Sequence, residues 1–212
     1  DYGTLTEKNS DRKSVLMCAT DVLSGMPHAY RISVKGNSRY NVTELKVFIL
    51  FLGRTQGTLQ SDQEQSIKSV LRDVSAELGG LKVRHSSTYS SQSQGAVERS
   101  HRTIFSQIRV LKAQVKGNYG IELHPEHPLM TWLVKHASWL IGRYLTHSDG
   151  KTSFQRLWGN TYNSPLCEFA ESVWYLPNVN VKKKNKTEDN WFKGIWLGKD
   201  MTDNDNIIGT PD

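Results

Sequence analysis

The order of hydrophobic patterns in the first 116 residues limits the folds open to this chain. Three strand-like segments, 1–6, 14–20 and 28–34, are separated only by turn chemistry, Lys8-Asn9-Ser10-Asp11 and then Ser24-Gly25-Met26-Pro27. A helix-like stretch follows at 43–52, then a short strand ending near Asp62. Over 65–78 the residues Ile67, Val70, Leu71, Val74 and Leu78 share one helical face, and Gly79-Gly80 ends that helix. A strand at 81–85 leads into a polar loop over 86–94, rich in Ser and Gln. Gly95 then precedes a long helix over 96–116, with Val97, Ile104, Ile108, Leu111 and Val115 as its apolar stripe. The order β-β-β-α-β-α-β-α predicts an antiparallel meander extended by parallel strands. The expected α/β core is a mixed five-stranded sheet flanked by helices, with the first strand central and the fourth beside it.

Beyond residue 120 the patterns change. Leu129, Trp132, Leu133, His136, Ala137, Leu140, Ile141, Tyr144 and Leu145 keep helical spacing over 128–146, read as a core stripe. The last part is β-rich, with strands expected at 172–176 and 195–197, and its small barrel would be incomplete at Asp212. All six tryptophans lie after residue 131. Three regions are therefore expected: a core over 1–120, a helical extension over 121–164 and a small β module over 165–212.

The chain has 212 residues, a net charge of +6 and a pI near 9.3. Residues 1–164 carry 21 Lys+Arg against 13 Asp+Glu (+8), and 165–212 carry 6 against 8 (−2). A basic main domain points to a polyanionic partner, nucleic acid before membrane. The longest apolar run, 47–52, is too short to cross a bilayer. Cys18 and Cys167 make neither a disulfide framework nor a CxxC pair, which suits buried thiols in an intracellular, reducing compartment. No targeting signal is visible. A start at Asp1-Tyr2-Gly3 without Met suggests a fragment or a processed piece.

The chemistry lies in three carboxylates. Asp1 opens the first strand, Asp62 ends the fourth, and Glu98 stands in the first turn of the long helix, with 35 residues between the last two. If strands one and four are neighbours, Asp1 and Asp62 project together and the helix brings Glu98 over them. Three converging carboxylates repel one another unless a divalent cation lies between them. An all-oxygen set suits Mg²⁺ or Mn²⁺, and two such ions about 3.5–4 Å apart clamp both oxygens of an in-line phosphoryl transfer. Asp21 competes as the first carboxylate, but placing it there removes a strand from the meander. It is read instead as capping the turn that follows it.

The segment Tyr89-Ser90-Ser91-Gln92-Ser93-Gln94-Gly95-Ala96-Val97-Glu98 resembles the catalytic-helix motif of retroviral and retrotransposon integrases, which share the 35-residue spacing. Asp1-Tyr2-Gly3-Thr4 is similar to that family's first-Asp strand. Ser61-Asp62 is similar to its second, with Gln63-Glu64 where many relatives carry Asn-Gly. His136-Ala137-Ser138-Trp139-Leu140-Ile141-Gly142-Arg143 through Trp158-Gly159 resembles the helix and loop behind the core in copia-type polyproteins. Residues 169–198 more loosely resemble their SH3-like module. The resemblance spans nearly the whole chain and is most specific over 58–112. It implies an RNase H-like fold in a fragment of a retrotransposon Pol polyprotein, and 3′-end processing followed by strand transfer of element DNA into target DNA. Asp1, Asp62 and Glu98 would be the metal ligands, with no covalent protein intermediate. It also implies a homo-oligomer on double-stranded DNA, in a nuclear or cytoplasmic element particle, and a His/Cys zinc module upstream of residue 1.

Glu98, Arg102, Phe105, Arg109 and Lys112 share one face of the long helix, and Arg102 and Arg109 are candidate phosphate contacts. Tyr89, Gln92 and Gln94 are candidate DNA contacts from the polar loop, and His101, one turn from Glu98, reads either as orienting it or as a plain helix-surface histidine. His124 and His127 lack metal-site partners and read as a loop before a helix. The lysines at 182–184 and 186 fit either a DNA backbone or a solvated turn. An inactive or co-opted DNA-binding remnant and an RNase H-like transposase are the alternative functions.

Overall fold

Leu16, Met17 and Cys18 are consecutive and all buried, so their strand is covered on both faces. In the computed structural model, which describes residues 1–7, 11–85, 91–176 and 190–210 and leaves out the side chains of 91–94 and 96, this strand is the middle of a meander. Strand β1 (Tyr2–Thr6) pairs antiparallel with β2 (Lys13–Thr20), and β2 with β3 (Pro27–Ile32). Helix α1 (Arg39–Phe51) crosses to β4 (Gly57–Ser61), helix α2 (Gln65–Leu78) to β5 (Leu81–His85), and β4 and β5 pair in parallel. Then come α3 (Ser91–Tyr119), α4 (Leu129–Tyr144) and the short α5 (Ser153–Trp158). Among the described residues no helix is long and apolar enough to cross a membrane.

The core lies between helices and strands. Ile67, Val70 and Val74 of α2, Ile104 and Ile108 of α3, and Leu133 and Val134 of α4 are buried, as are Leu16, Ala29 and Tyr30 in the meander, with α3 packed on β2 and α4 on β3. One side chain links α4 to β3. The Ser138 hydroxyl donates to the Lys135 carbonyl at 2.9 Å and accepts from the Ala29 amide at 3.1 Å.

The structure departs from the sequence pattern in four places. In place of the expected five-stranded mixed sheet the described residues show two separate ladders, β1-β2-β3 and β4-β5, not hydrogen-bonded to each other. Helix α1 starts at Arg39, not residue 43, because Ser38 caps it by accepting from the Asn41 amide. Four polar residues assigned to a loop, 91–94, form the first turn of α3. The buried face of α4 is rotated from the expected stripe. Tyr144 and Leu145 are exposed, whereas Arg143 is buried with its guanidinium 4.1 Å from the Trp139 ring centre and 5.4 Å from those of Phe154 and Tyr162. A cation held by ring faces can replace an apolar residue at a core position.

Residues Ser164–Asp212 form a second compact unit, separate from Asp1–Asn163. Its β6 (Ser172–Tyr175), β7 (Phe192–Lys199) and β8 (Asn206–Gly209) make an antiparallel sheet with β7 in the centre. Trp196 anchors it, fully buried, with its indole N–H donating to Asn206 Oδ1 at 2.9 Å. A closed barrel is not seen among the described residues, and the lysines at 182–184 and 186 lie outside them.

Candidate functional site

Asp1 extends the β1 ladder by one residue. Its nitrogen donates to the Cys18 carbonyl and its carbonyl accepts from the Cys18 amide, both at 2.9 Å. Its carboxylate accepts from the Tyr2 amide at 2.7 Å. Asp62 follows β4 directly, half-buried, with Oδ1 accepting from the Glu64 amide at 3.1 Å. Both aspartates line one cavity of about 360 Å³, together with Val97 from the first turns of α3. Apolar side chains of α1 and α2 form much of the remaining wall, including Phe48, Ile49, Ile67 and Leu71.

The surrounding charges bind the aspartates into one electrostatic neighbourhood. Burial lowers the proton affinity of the Asp1 amino group, and Cys18, Asp62 and Glu64 act in the opposite sense. Glu64, two residues after Asp62, is tied down. Its Oε1 accepts from Lys35 Nζ and from Ser66 Oγ, each at 2.8 Å, and its carboxyl is held low first by Lys35. Sequence reasoning missed the Lys35–Glu64 pair, because 29 positions separate the partners and nothing in the local pattern joins them.

Glu98 is exposed on α3, one turn before His101. Helix and strand meet closely here. A Cβ on Gly3 would come within 2.9 Å of Phe105 Cζ and 3.8 Å of His101 Cε1, so only glycine lets α3 rest this near β1. Burial lowers the His101 pKa, the Asp1 amino group adds to that, and Glu98 opposes it. His101 thus lies within electrostatic reach of both Asp1 and Glu98.

The three carboxylates are only partly gathered. Asp1 and Asp62 share the cavity, but among the described residues no group of three His, Cys, Asp or Glu side chains is close enough to hold a metal ion. The physical reason is local: each aspartate is engaged by a neighbouring backbone amide, Glu98 is solvated, and like charges resist convergence. In donor chemistry the set fits a hard divalent cation, being entirely carboxylate oxygen, with two members already on one cavity.

The other sequence candidates are placed as follows. Asp21 caps its turn, with Oδ2 accepting from the Ser24 amide (3.0 Å), Ser24 Oγ (2.6 Å) and Arg54 (3.0 Å). Burial would raise its pKa, but those bonds outweigh it and hold the carboxyl low. Arg102 and Arg109 are exposed on α3. Tyr89 lies outside the described residues, as do the side chains of Gln92 and Gln94. His124 pairs with Glu7 at 2.9 Å, while His127 Nδ1 accepts from the Leu129 amide at the start of α4. His136 is buried and stacked on Trp139, and burial pushes its pKa down to about 4. From the sequence Cys18 is only a buried thiol. It also lines the cavity, where burial pushes its pKa up to about 12.

No protein-family model matches this sequence, and no curated protein matches it. Solved structures do. A chain of the simian T-cell lymphotropic virus intasome in complex with the PP2A regulatory subunit B56 gamma is similar, with TM-score 0.58 and 16% identity over 94% of this chain and 67% of that one. The HTLV-2 integrase catalytic core domain in complex with magnesium matches in its trimeric form at TM-score 0.55 and 17% identity. Its dimeric form gives 0.53 and 16%, and both forms cover 74% of this chain and 92% of theirs. At such identities the likeness shows the fold: this chain has a retroviral integrase core-like fold.

Proposed function

We propose that this protein is a polynucleotidyl transferase that integrates element DNA into target DNA, with Asp1, Asp62 and Glu98 as its catalytic carboxylates. The observation that carries the reading is the cavity shared by Asp1, Asp62 and Val97, one residue before Glu98 on α3. In this reading the two ladders belong to one five-stranded RNase H-like sheet, 121–164 is a helical extension, and 165–212 is an SH3-like module. The source would be a copia-type retrotransposon Pol polyprotein, and the working form a homo-oligomer on double-stranded DNA.

Water would first break a phosphodiester near the 3′ end, leaving a 3′-hydroxyl and releasing a 5′-phosphorylated fragment. That hydroxyl would then attack a target phosphodiester, so one phosphorus–oxygen bond forms as another breaks. Asp1, Asp62 and Glu98 would hold two Mg²⁺ or Mn²⁺ ions, which supply positive charge where the attacking and leaving oxygens become negative. His101 would position Glu98 from the next turn of the helix. Arg102 and Arg109 would bind phosphates along α3, and Tyr89, Gln92 and Gln94 would contact DNA where it enters the site.

A strand-transfer assay on element-end duplexes, with Asp62→Asn and Glu98→Gln beside wild type, tests this proposal. Activity in wild type and its loss in both variants is expected, and unchanged activity in either variant would overturn the assignment. A second reading, DNA binding without catalysis, draws on the carboxylates not closing into a cluster. It predicts salt-sensitive DNA binding with no transfer even by wild type.

A further inference from the structure

Each cavity aspartate is held through Oδ1 by a backbone amide just after it in the chain, Asp1 by that of Tyr2 at 2.7 Å and Asp62 by that of Glu64 at 3.1 Å. The side chains of those two amide donors meet at a third residue. Lys35, in the connection between β3 and α1, sets its Nζ 4.8 Å from the centre of the Tyr2 ring and 2.8 Å from Glu64 Oε1. Its neighbour Gly36 donates its amide to the Tyr2 hydroxyl at 3.1 Å. The connection that carries these contacts is itself fixed. The side-chain amide of Asn41, which is 1% exposed, donates to the Val34 and Gly36 carbonyls on either side of Lys35. Gly36 has φ +104°, a region that favours glycine. Asn37 ties the same connection to α2, its side-chain amide donating to Asp73 Oδ2 at 2.8 Å. Folding stability gives Lys35 little to do, because its side chain is 44% exposed and that of Glu64 36%, and ion pairs so open to water contribute little. Its contacts matter for geometry. β1 and β4 share no hydrogen bond among the described residues, so no ladder fixes the Asp1 end of one against the Asp62 end of the other. An ammonium that lies over a ring face and pairs with a carboxylate links the two.

We propose that Lys35 is a positioning residue that brackets Asp1 and Asp62, gripping Tyr2 with one contact and Glu64 with the other. Lys35 touches neither aspartate. It acts through the two residues whose amides orient them, so both carboxylates keep their separation and direction before DNA arrives. Groups ordered in advance need not be ordered at the reacting step, which is where misplacement is most costly. The functional consequence rests on the integrase reading, whereas the bracket itself rests on side-chain contacts.

Amide hydrogen exchange followed by NMR tests the bracket in Lys35→Met, which keeps the stem over Tyr2 but loses the charge, in Lys35→Arg, which keeps the charge, and in Glu64→Ala. Lys35→Met is expected to speed exchange of the Tyr2 and Glu64 amides together, each by at least about threefold, with the amides of buried Val70 and Val74 and the thermal midpoint unchanged. Lys35→Arg should restore both rates. Glu64→Ala should free the amide at position 64 and leave that of Tyr2 protected. Unchanged exchange at both amides in Lys35→Met, or a change at one alone, would overturn the bracket. In strand transfer Lys35→Met should lower kcat at least about tenfold with KM for the duplex within about twofold, and Lys35→Arg should recover most of the loss. A raised KM with unchanged kcat would overturn the proposal by making Lys35 a phosphate contact. Absent transfer by wild type, or full transfer by Asp62→Asn, would count against the catalytic assignment alone, and the exchange rates still decide the bracket.

Discussion

Replacing Glu44 by Gln tests how α1, β3 and α4 are held together. Glu44 is on α1, with only 18% of its side chain exposed. It pairs with Lys135 of α4 and stands 3.6 Å from His28 Nε2 of β3. Burial alone would raise its pKa, but the neighbouring His28 ring, the bond from Lys135 and the Lys135 charge outweigh that and hold it at about 2, against an ordinary 4.5. At 1.36 kcal/mol per pH unit the depression is worth about 3 kcal/mol of folding stability near neutrality. A carboxyl depressed in the folded state contributes fully above its unfolded pKa, and the contribution fades as pH falls towards the folded value. Here the loss starts near pH 4.5 and runs to about 2, so about 2 kcal/mol of the contribution is gone by pH 3. Burial also lowers the His28 pKa, so acidification protonates the unfolded chain there before the fold and removes further stability; wild type and variant share that loss, and it largely cancels in their difference. Urea unfolding followed by Trp fluorescence at pH 7 and pH 3 measures the difference. Glu44→Gln is expected to cost about 2–3 kcal/mol at pH 7 and about 1 kcal/mol at pH 3. An equal cost at both pH values would refute the electrostatic account of this junction.

Three further outcomes are expected. Gly142→Ala would place a Cβ against the Sδ of buried Met26, where α4 meets the start of β3, and should destabilise the fold by about 1–3 kcal/mol in the same unfolding assay. A thiol reagent at pH 8 should label partly exposed Cys167 well before Cys18, which is buried and held at about 12; equal rates in the native protein would contradict that environment. Arg102→Ala and Arg109→Ala should each weaken DNA binding independently of sequence and lower the slope of log K against log salt by about 1, read by fluorescence anisotropy.

The legible parts of the fold were those with a complete local signal. The stripe Ile67, Val70, Leu71 and Val74 with Gly79 behind it marks α2, and the structure has that helix over Gln65–Leu78. Where the signal was tertiary, the pattern misled. The start of α1 carries Asn41, which is buried because its side-chain amide donates to the Val34 and Gly36 carbonyls at 2.9 and 2.7 Å. Arg143 reads as a surface residue until the rings of Trp139, Phe154 and Tyr162 are seen around it. At the candidate site, residue types and spacing could be read, because they lie along the chain. Convergence could not, since Asp1, Asp62 and Glu98 sit on three different elements, and no local pattern tells that Asp1 and Asp62 share a cavity while Glu98 stays exposed on α3.

The central claim is that Asp1, Asp62 and Glu98 jointly hold a divalent cation on DNA. Calorimetric titration of Mn²⁺ into the protein bound to an element-end duplex tests it most directly, with Asp62→Asn and Glu98→Gln as comparisons. Saturable Mn²⁺ uptake by wild type, weakened at least about tenfold in each variant with an unchanged thermal midpoint, is the predicted result. Mn²⁺ affinity that is the same in wild type and both variants would contradict it.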